Sequence, residues 1–184
     1  MNYTEELKDE HKGIVLMLQI LEKICDVLDA GEKVDAGHLE RIVEFLKVFA
    51  DKCHHAKEEE LLFPAMEKAG IPKEGGPIGA MLQEHEIGRE YVKGFGEAVG
   101  EYKSTKTEAS QKIVKNARNY IALLLQHIVK EDTVLYPLAD AHIPQKVQEE
   151  LLEQFDVIEA ERIGKGKHEE FHELLKHLKS IYLK

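Results

Sequence analysis

Apolar residues recur at three- and four-residue intervals along most of the chain, and no stretch alternates with period two. That pattern predicts an all-α protein. A first helix is expected over about residues 3–30, with Leu7, His11, Ile14, Leu18, Leu21 and Leu28 on one face and Gly31 as its stop. A second is expected over about 35–68, opened by Asp35 as N-cap. Its inner face carries Val43, Leu46, Ala50, His54, Glu58, Leu61, Leu62 and Ala65, and Pro64 should kink it or end it early. After the turn GIPKEGGP, Pro77 suits the first position of a third helix over 77–103, with Ile78, Met81, Leu82, His85, Val92 and Phe95 along one stripe. A polar break, STKTEA, precedes a fourth over 107–141, where Tyr120, Leu123, Leu124, His127, Glu131, Val134, Leu135 and Leu138 share a face. Two more helices, 144–162 and 168–182, flank a GKGK turn. Short connections between four long helices predict an up-down-up-down four-helix bundle over 1–143. Residues 144–184 are expected as a C-terminal helical extension packed on the same domain.

The inner faces are interrupted by polar residues, and the interruptions repeat. CHHAKEEELLFP at 53–64 aligns without a gap with HIVKEDTVLYP at 127–137, once its leading cysteine is set aside. His54 matches His127, Lys57 matches Lys130, Glu58 matches Glu131, Phe63 matches Tyr136 and Pro64 matches Pro137. Each half is preceded by a lone inner-face histidine, His11 in DEH and His85 in QEH. One unit is therefore a helix with one His followed by a helix with His-x-x-x-Glu. Two such hairpins about a pseudo-twofold aim His11, His54, Glu58, His85, His127 and Glu131 at one point.

Residues four apart on a helix project from the same side, about 6 Å apart along its axis. Two carboxylates buried without partners are very costly, and the inner faces offer no matching cations. A pair of divalent metal ions supplies the compensation, with imidazole nitrogens as ligands and carboxylates as bridges. Packing alone would be better served by Leu than by His at positions 11 and 85. Iron, zinc and manganese all suit this donor set.

His55 also flanks Glu58, but its own stripe (Val48, Asp51, Lys52, Glu59, Leu62) is half polar. His54 is therefore the primary ligand, and His55 is either a supplementary ligand or a rim residue. If His55 coordinates, the two halves are unequal, because its counterpart is Ile128; the more open position is then expected on the side of the fourth helix. Cys53 reads as a packed thiol. Glu10, Glu59 and Glu84 adjoin ligand positions and are candidate outer partners. His168, His172 and Glu169 could form a second metal site, although a helix covering the bundle is the preferred reading. Glu159 either closes the site from one end or lies on the surface.

The pattern His, His-x-x-x-Glu, His, His-x-x-x-Glu over residues 5–140 resembles the hemerythrin-like, or HHE cation-binding, family. The resemblance implies a four-helix bundle around two iron ions, oxo- or hydroxo-bridged, held by the six residues above. Two departures matter. Where the oxygen carriers of the family have a second histidine on the third helix, this chain has Arg89. Those carriers also use His-x-x-x-x-Asp on the fourth helix; Asp132 stands at that spacing, but the internal repeat favours Glu131 over Asp132.

Composition narrows the function. A net charge of −10 argues against a nucleic-acid partner. No apolar run approaches the roughly 20 residues of a membrane span, and two cysteines, Cys25 and Cys53, read as reduced thiols of a cytoplasmic protein. The expected function is a di-iron protein that binds or reacts with O2, peroxide or NO. Arg89 favours sensing or scavenging over oxygen transport. The alternative is a metal-stabilised interaction or regulatory module without turnover; the residues identify no protein partner.

Overall fold

A computed structural model describes residues 2–103, 106–164 and 166–184, with the side chains of 106 and 107 excepted. Ser104 and Thr105 of the expected polar break, and Lys165 of the GKGK turn, lie outside them. All regular structure among the described residues is helical. Helix α1 is Tyr3–Asp29, closed at its start by a reciprocal capping box between Asn2 and Glu5. Helix α2 begins at Ala36–Phe45, capped by Asp35, whose Oδ1 accepts from the Gly37 N–H at 2.7 Å. It continues through wide π turns at Leu46–His55 and Glu58–Leu62 to Phe63–Lys68. Helix α3 is Pro77–Tyr102. Helix α4 runs from Lys106–Lys130 through a π turn at Glu131–Leu135 to Tyr136–His142. Helices α5 (Gln145–Arg162) and α6 (Lys167–Tyr182) complete the chain.

Pro64 neither ends nor interrupts α2. A proline ring clashes with the carbonyl four residues back and offers it no N–H. A wide turn before the proline removes the conflict: the Phe63 N–H reaches back five residues to the Glu58 carbonyl. The Tyr136 N–H does the same to the Glu131 carbonyl ahead of Pro137. The extra residue in each turn also rotates the facing of the next side chains along the helix. Val134, expected inside, is 55% exposed, whereas Leu135 is buried. Such π turns concentrate at functional sites, and here the two that precede the prolines each begin on one of the duplicated glutamates.

Two apolar clusters form the interior. The larger gathers residues such as Ile14, Ala50, Val92 and Leu124; the smaller gathers Leu7, Leu62, Met81 and Leu135. Each of α1 to α4 crosses from one cluster to the other. His11, His54, Glu58, His85, His127 and Glu131 occur where the crossings take place, so they form a buried polar layer between two dry ones. Phe155 of α5 joins the smaller cluster, and Phe171 and Leu178 of α6 join the larger. Each fully buried side chain of this size contributes roughly 1.5–3 kcal/mol.

Candidate metal centre

Within the polar layer the histidines meet in pairs. Nε2 of His11 lies 2.9 Å from Nε2 of His54, and Nε2 of His85 lies 3.0 Å from Nε2 of His127. The two glutamates stand between the pairs. Glu58 Oε2 is 3.8 Å from Nε2 of His54 and 3.5 Å from Nε2 of His85. Glu131 Oε2 is 3.2 Å from Nε2 of His11, while its Oε1 is 2.8 Å from His127 and 3.8 Å from His85. Each carboxylate thus touches both pairs, which is the geometry of a bridge.

The outer nitrogens fix how the rings present themselves. Nδ1 of His54 pairs with Glu10 at 2.7 Å, and Nδ1 of His127 with Glu84 at 2.8 Å. Nδ1 of His11 pairs with Asp132 at 2.8 Å, and Nδ1 of His85 with Glu59 at 2.6 Å. A carboxylate at Nδ1 holds the proton there and turns the Nε2 lone pair inward. In the neutral rings lone pairs then face lone pairs and carboxylate oxygens. Consistently, Glu58 Oε2 and both oxygens of Glu131 accept no hydrogen bond, although histidine nitrogens lie within reach. Buried, unsatisfied acceptors converging on two points are what cations relieve.

The electrostatics show the same need. Burial, reinforced by the charge of Glu131, pushes the Glu58 carboxyl well above the usual carboxylate range. Burial opposes charge on Glu131 too, yet the surrounding His127, His11 and His85 hold it well below that range. Burial disfavours the charged form of His11, but Asp132 and Glu131 raise its pKa to about 9. Glu10 is desolvated as well, and His54 and Lys57 nevertheless lower it to about 2.

The candidate residues sort into two groups whose ligand atoms lie within 4.8 Å of one another: His11, His54 and Glu131; and His55, Glu58, His85 and His127. His55 is buried, with its ring stacked on His85 at 3.8 Å between centroids and its Nδ1 3.3 Å from Asp51. Burial, then the neighbouring His85, keep its pKa well below the ordinary histidine value, so it is neutral. The expected open side is therefore reversed. His55 lies about 100° round α2 from His54, which carries it towards α3 and the His85–His127 pair. The less filled group is the one with His11 and His54. Asp132 meets only the outer nitrogen of His11.

Sequence reasoning missed Tyr136. Its hydroxyl donates to Glu58 Oε1 at 2.6 Å and lies 3.3 Å from Nε2 of His11, with the two rings stacked. Its counterpart Phe63 stacks in the same way on His85. The available signal was the Phe63/Tyr136 mismatch within the repeat, which adds one hydroxyl at a buried position. The pseudo-twofold is broken twice, by His55 against Ile128 and by Tyr136 against Phe63. One extra polar group goes to each half.

The remaining candidates stand apart. Lys57 is fully buried and donates to Glu10 and Glu6, with Glu159 Oε2 at 3.5 Å. Glu159 also approaches His168 Nδ1 at 3.4 Å, so it serves this lysine cluster rather than the six central residues. Cys53 lies beside Glu10 and Glu159, and burial pushes its thiol up to about 12, as a packed thiol requires. His168 and His172 meet edge to face, and no metal-holding group among the described residues includes them.

The hemerythrin HHE cation binding domain matches residues 2–139. Uncharacterized proteins of Mycobacterium bovis and Mycobacterium tuberculosis are 24% identical over 162 residues, which cover 88% of this chain. The aligned region covers 63% of the length of those relatives. No solved structure matches. With three quarters of its length matched, the chain belongs to the hemerythrin HHE cation-binding family.

Proposed function

We propose that this chain is a non-haem di-iron protein that binds or reacts with a small ligand, O2, peroxide or NO, and that it senses or scavenges rather than transports oxygen. The observation that carries the reading is the sharing of Glu58 and Glu131 between two buried histidine pairs, with three carboxylate oxygens left without hydrogen bonds. In this reading α1 to α4 form the four-helix bundle, the six central residues hold two ions, and His55 adds a ligand to one of them. Iron would supply Lewis acidity and electrons. Zinc or manganese would fit the same donors, and the family supports iron.

The protein's own contribution is asymmetry. His55 crowds the half containing His85 and His127, leaving the half with His11 and His54 as the open one. Tyr136 places a hydroxyl proton there, and its bond to Glu58 orients that carboxylate. Arg89, at the position of the carriers' additional histidine, is held outside by Asp51 and Glu59. The apolar clusters above and below exclude water. No described helix is long and apolar enough to cross a membrane, and the reading places the protein in the cytoplasm.

Adding O2, H2O2 or NO to reduced, iron-loaded protein tests the function spectroscopically. Rapid oxidation or a NO-specific spectrum is expected; a stable, reversible O2 adduct overturns the ranking. A second reading has its own support. The two groups draw on α1, α2, α3 and α4 together, so the ions would tie four helices. A regulatory module without turnover predicts large metal-dependent stability and no reactivity with any of the three ligands.

A further inference from the structure

A cavity of about 340 Å³ opens between α2, α3 and α4 on the flank of the histidine layer. Its floor includes the buried His55, and its walls include the buried Leu46, Val92 and Tyr120. Lys47, Lys52, Arg89 and Lys93 also line it, against a single acid, Asp51. This concentration of positive charge runs against a chain whose net charge is −10. Arg89 is already engaged by Asp51, Glu59 and Glu86. Among the described residues no ion pair engages Lys47, Lys52 or Lys93, all of them exposed at the mouth.

We propose that this cavity binds a small organic anion, a carboxylate with a short apolar body. Three ammonium groups without partners around one opening attract negative charge and can surrender water to a single anionic head. The available cations are lysines, compact point charges, since the forked guanidinium of Arg89 is taken by three carboxylates of the protein. Such point charges hold carboxylates and phosphates alike, but a singly charged carboxylate loses less hydration than a doubly charged phosphate on entering a cavity with apolar walls. Below the mouth the walls are apolar, and a fully inorganic anion would leave them wet. The volume lies at the lower end of the range for small-molecule pockets. An occupant would touch His55, and it would sit beside Asp51, which Arg89 and His55 share. The inference rests on the cavity and holds whichever metal or gas the centre takes.

Calorimetry of hexanoate into the metal-loaded full chain tests it, with hexan-1-ol and inorganic phosphate as controls. Saturable one-to-one binding of hexanoate is expected, weakened on the order of tenfold by Lys52→Gln together with Lys93→Gln, two exposed changes that leave the fold intact. Hexan-1-ol and phosphate should each bind at least about tenfold more weakly than hexanoate. No saturable binding up to about 10 mM, well past the millimolar affinities of weak sites, overturns the proposal. So does hexanoate binding that ignores the two substitutions. Equal binding of hexan-1-ol removes the anion from the claim, and equal binding of phosphate removes the apolar body; either result also contradicts it.

Discussion

The Tyr136 hydroxyl donates a 2.6 Å hydrogen bond to Oε1 of Glu58, from the opposite half of the internal repeat. Phe63, which occupies the matching place in the other half, has no hydroxyl to offer Glu131. The two central carboxylates are therefore held differently. Glu58 has one oxygen fixed by the protein and one free; Glu131 has both free.

Replacing Tyr136 with Phe makes the halves alike at this position. The variant should still load the metal, because Tyr136 is not among the six central residues. It should lose roughly 1.5–3 kcal/mol of stability, as expected for a buried hydrogen bond to a charged group. Reactivity at the open half should change more than metal content. Denaturant unfolding, metal analysis and stopped-flow absorbance on one preparation separate these effects; unchanged kinetics would remove Tyr136 from the chemistry.

Glu58 should destabilise the metal-free chain and stabilise the loaded one. Its carboxyl is raised by burial above the ordinary value of 4.5, so ionising it costs folding energy. The contribution of Glu58 to metal-free stability is therefore full below about pH 4.5 and is lost as pH rises above it. Glu58→Gln should stabilise the metal-free protein at neutral pH, by about 1–4 kcal/mol, while lowering the stability of the loaded form. Unfolding curves with and without metal give the two signs. A loss of stability in both states would show that the carboxylate is merely structural.

Glu10 and Glu84 do the same job with unequal support. Each pairs with a histidine Nδ1 and a lysine, but Lys57 is fully buried and Lys130 is exposed. Glu10→Gln and Glu84→Gln should each reduce metal affinity about 10–100-fold, as lost outer partners do. Only Glu10→Gln should strongly destabilise the fold, by about 3–5 kcal/mol, because it leaves a buried charge poorly compensated. The contribution of Glu10 is present above its ordinary 4.5 and is lost as pH falls towards about 2. Chelator competition and chemical denaturation check both halves of this contrast.

His55→Leu should weaken one ion and spare the other. His55 stands with Glu58, His85 and His127, and not with His11 and His54. Titration with a chelator should then release the ion beside His85 and His127 more readily than in the parent protein, while release of the ion beside His11 and His54 keeps its parental midpoint. Unaltered release would assign His55 to packing against His85 alone.

How much of this could be read from the residues depends on the kind of information involved. The six central side chains were legible because the repeat overdetermines them: His54 and Glu58 are singled out from His55, Glu59 and Glu60 by matching His127 and Glu131. Helix positions came from periodicity and from caps such as Asp35. The π turns were not legible, since they depend on how a helix accommodates Pro64 and Pro137 without stopping. Their effect on register misplaced Val134. The side taken by His55 was equally hidden, because a sequence stripe says which way a residue faces and not which neighbouring helix it meets. Tyr136 was visible only as a mismatch with Phe63, and a mismatch acquires meaning once Glu58 is seen beside it.

The proposed function depends above all on Glu58 and Glu131 being shared between two metal ions. Metal analysis of anaerobically purified protein, beside Glu58→Ala and Glu131→Ala, addresses it directly. Two iron equivalents per chain are expected in the parent and less than one in each variant, since removing either bridge disturbs both positions. A parent with a single equivalent, or variants that each retain two, would contradict it.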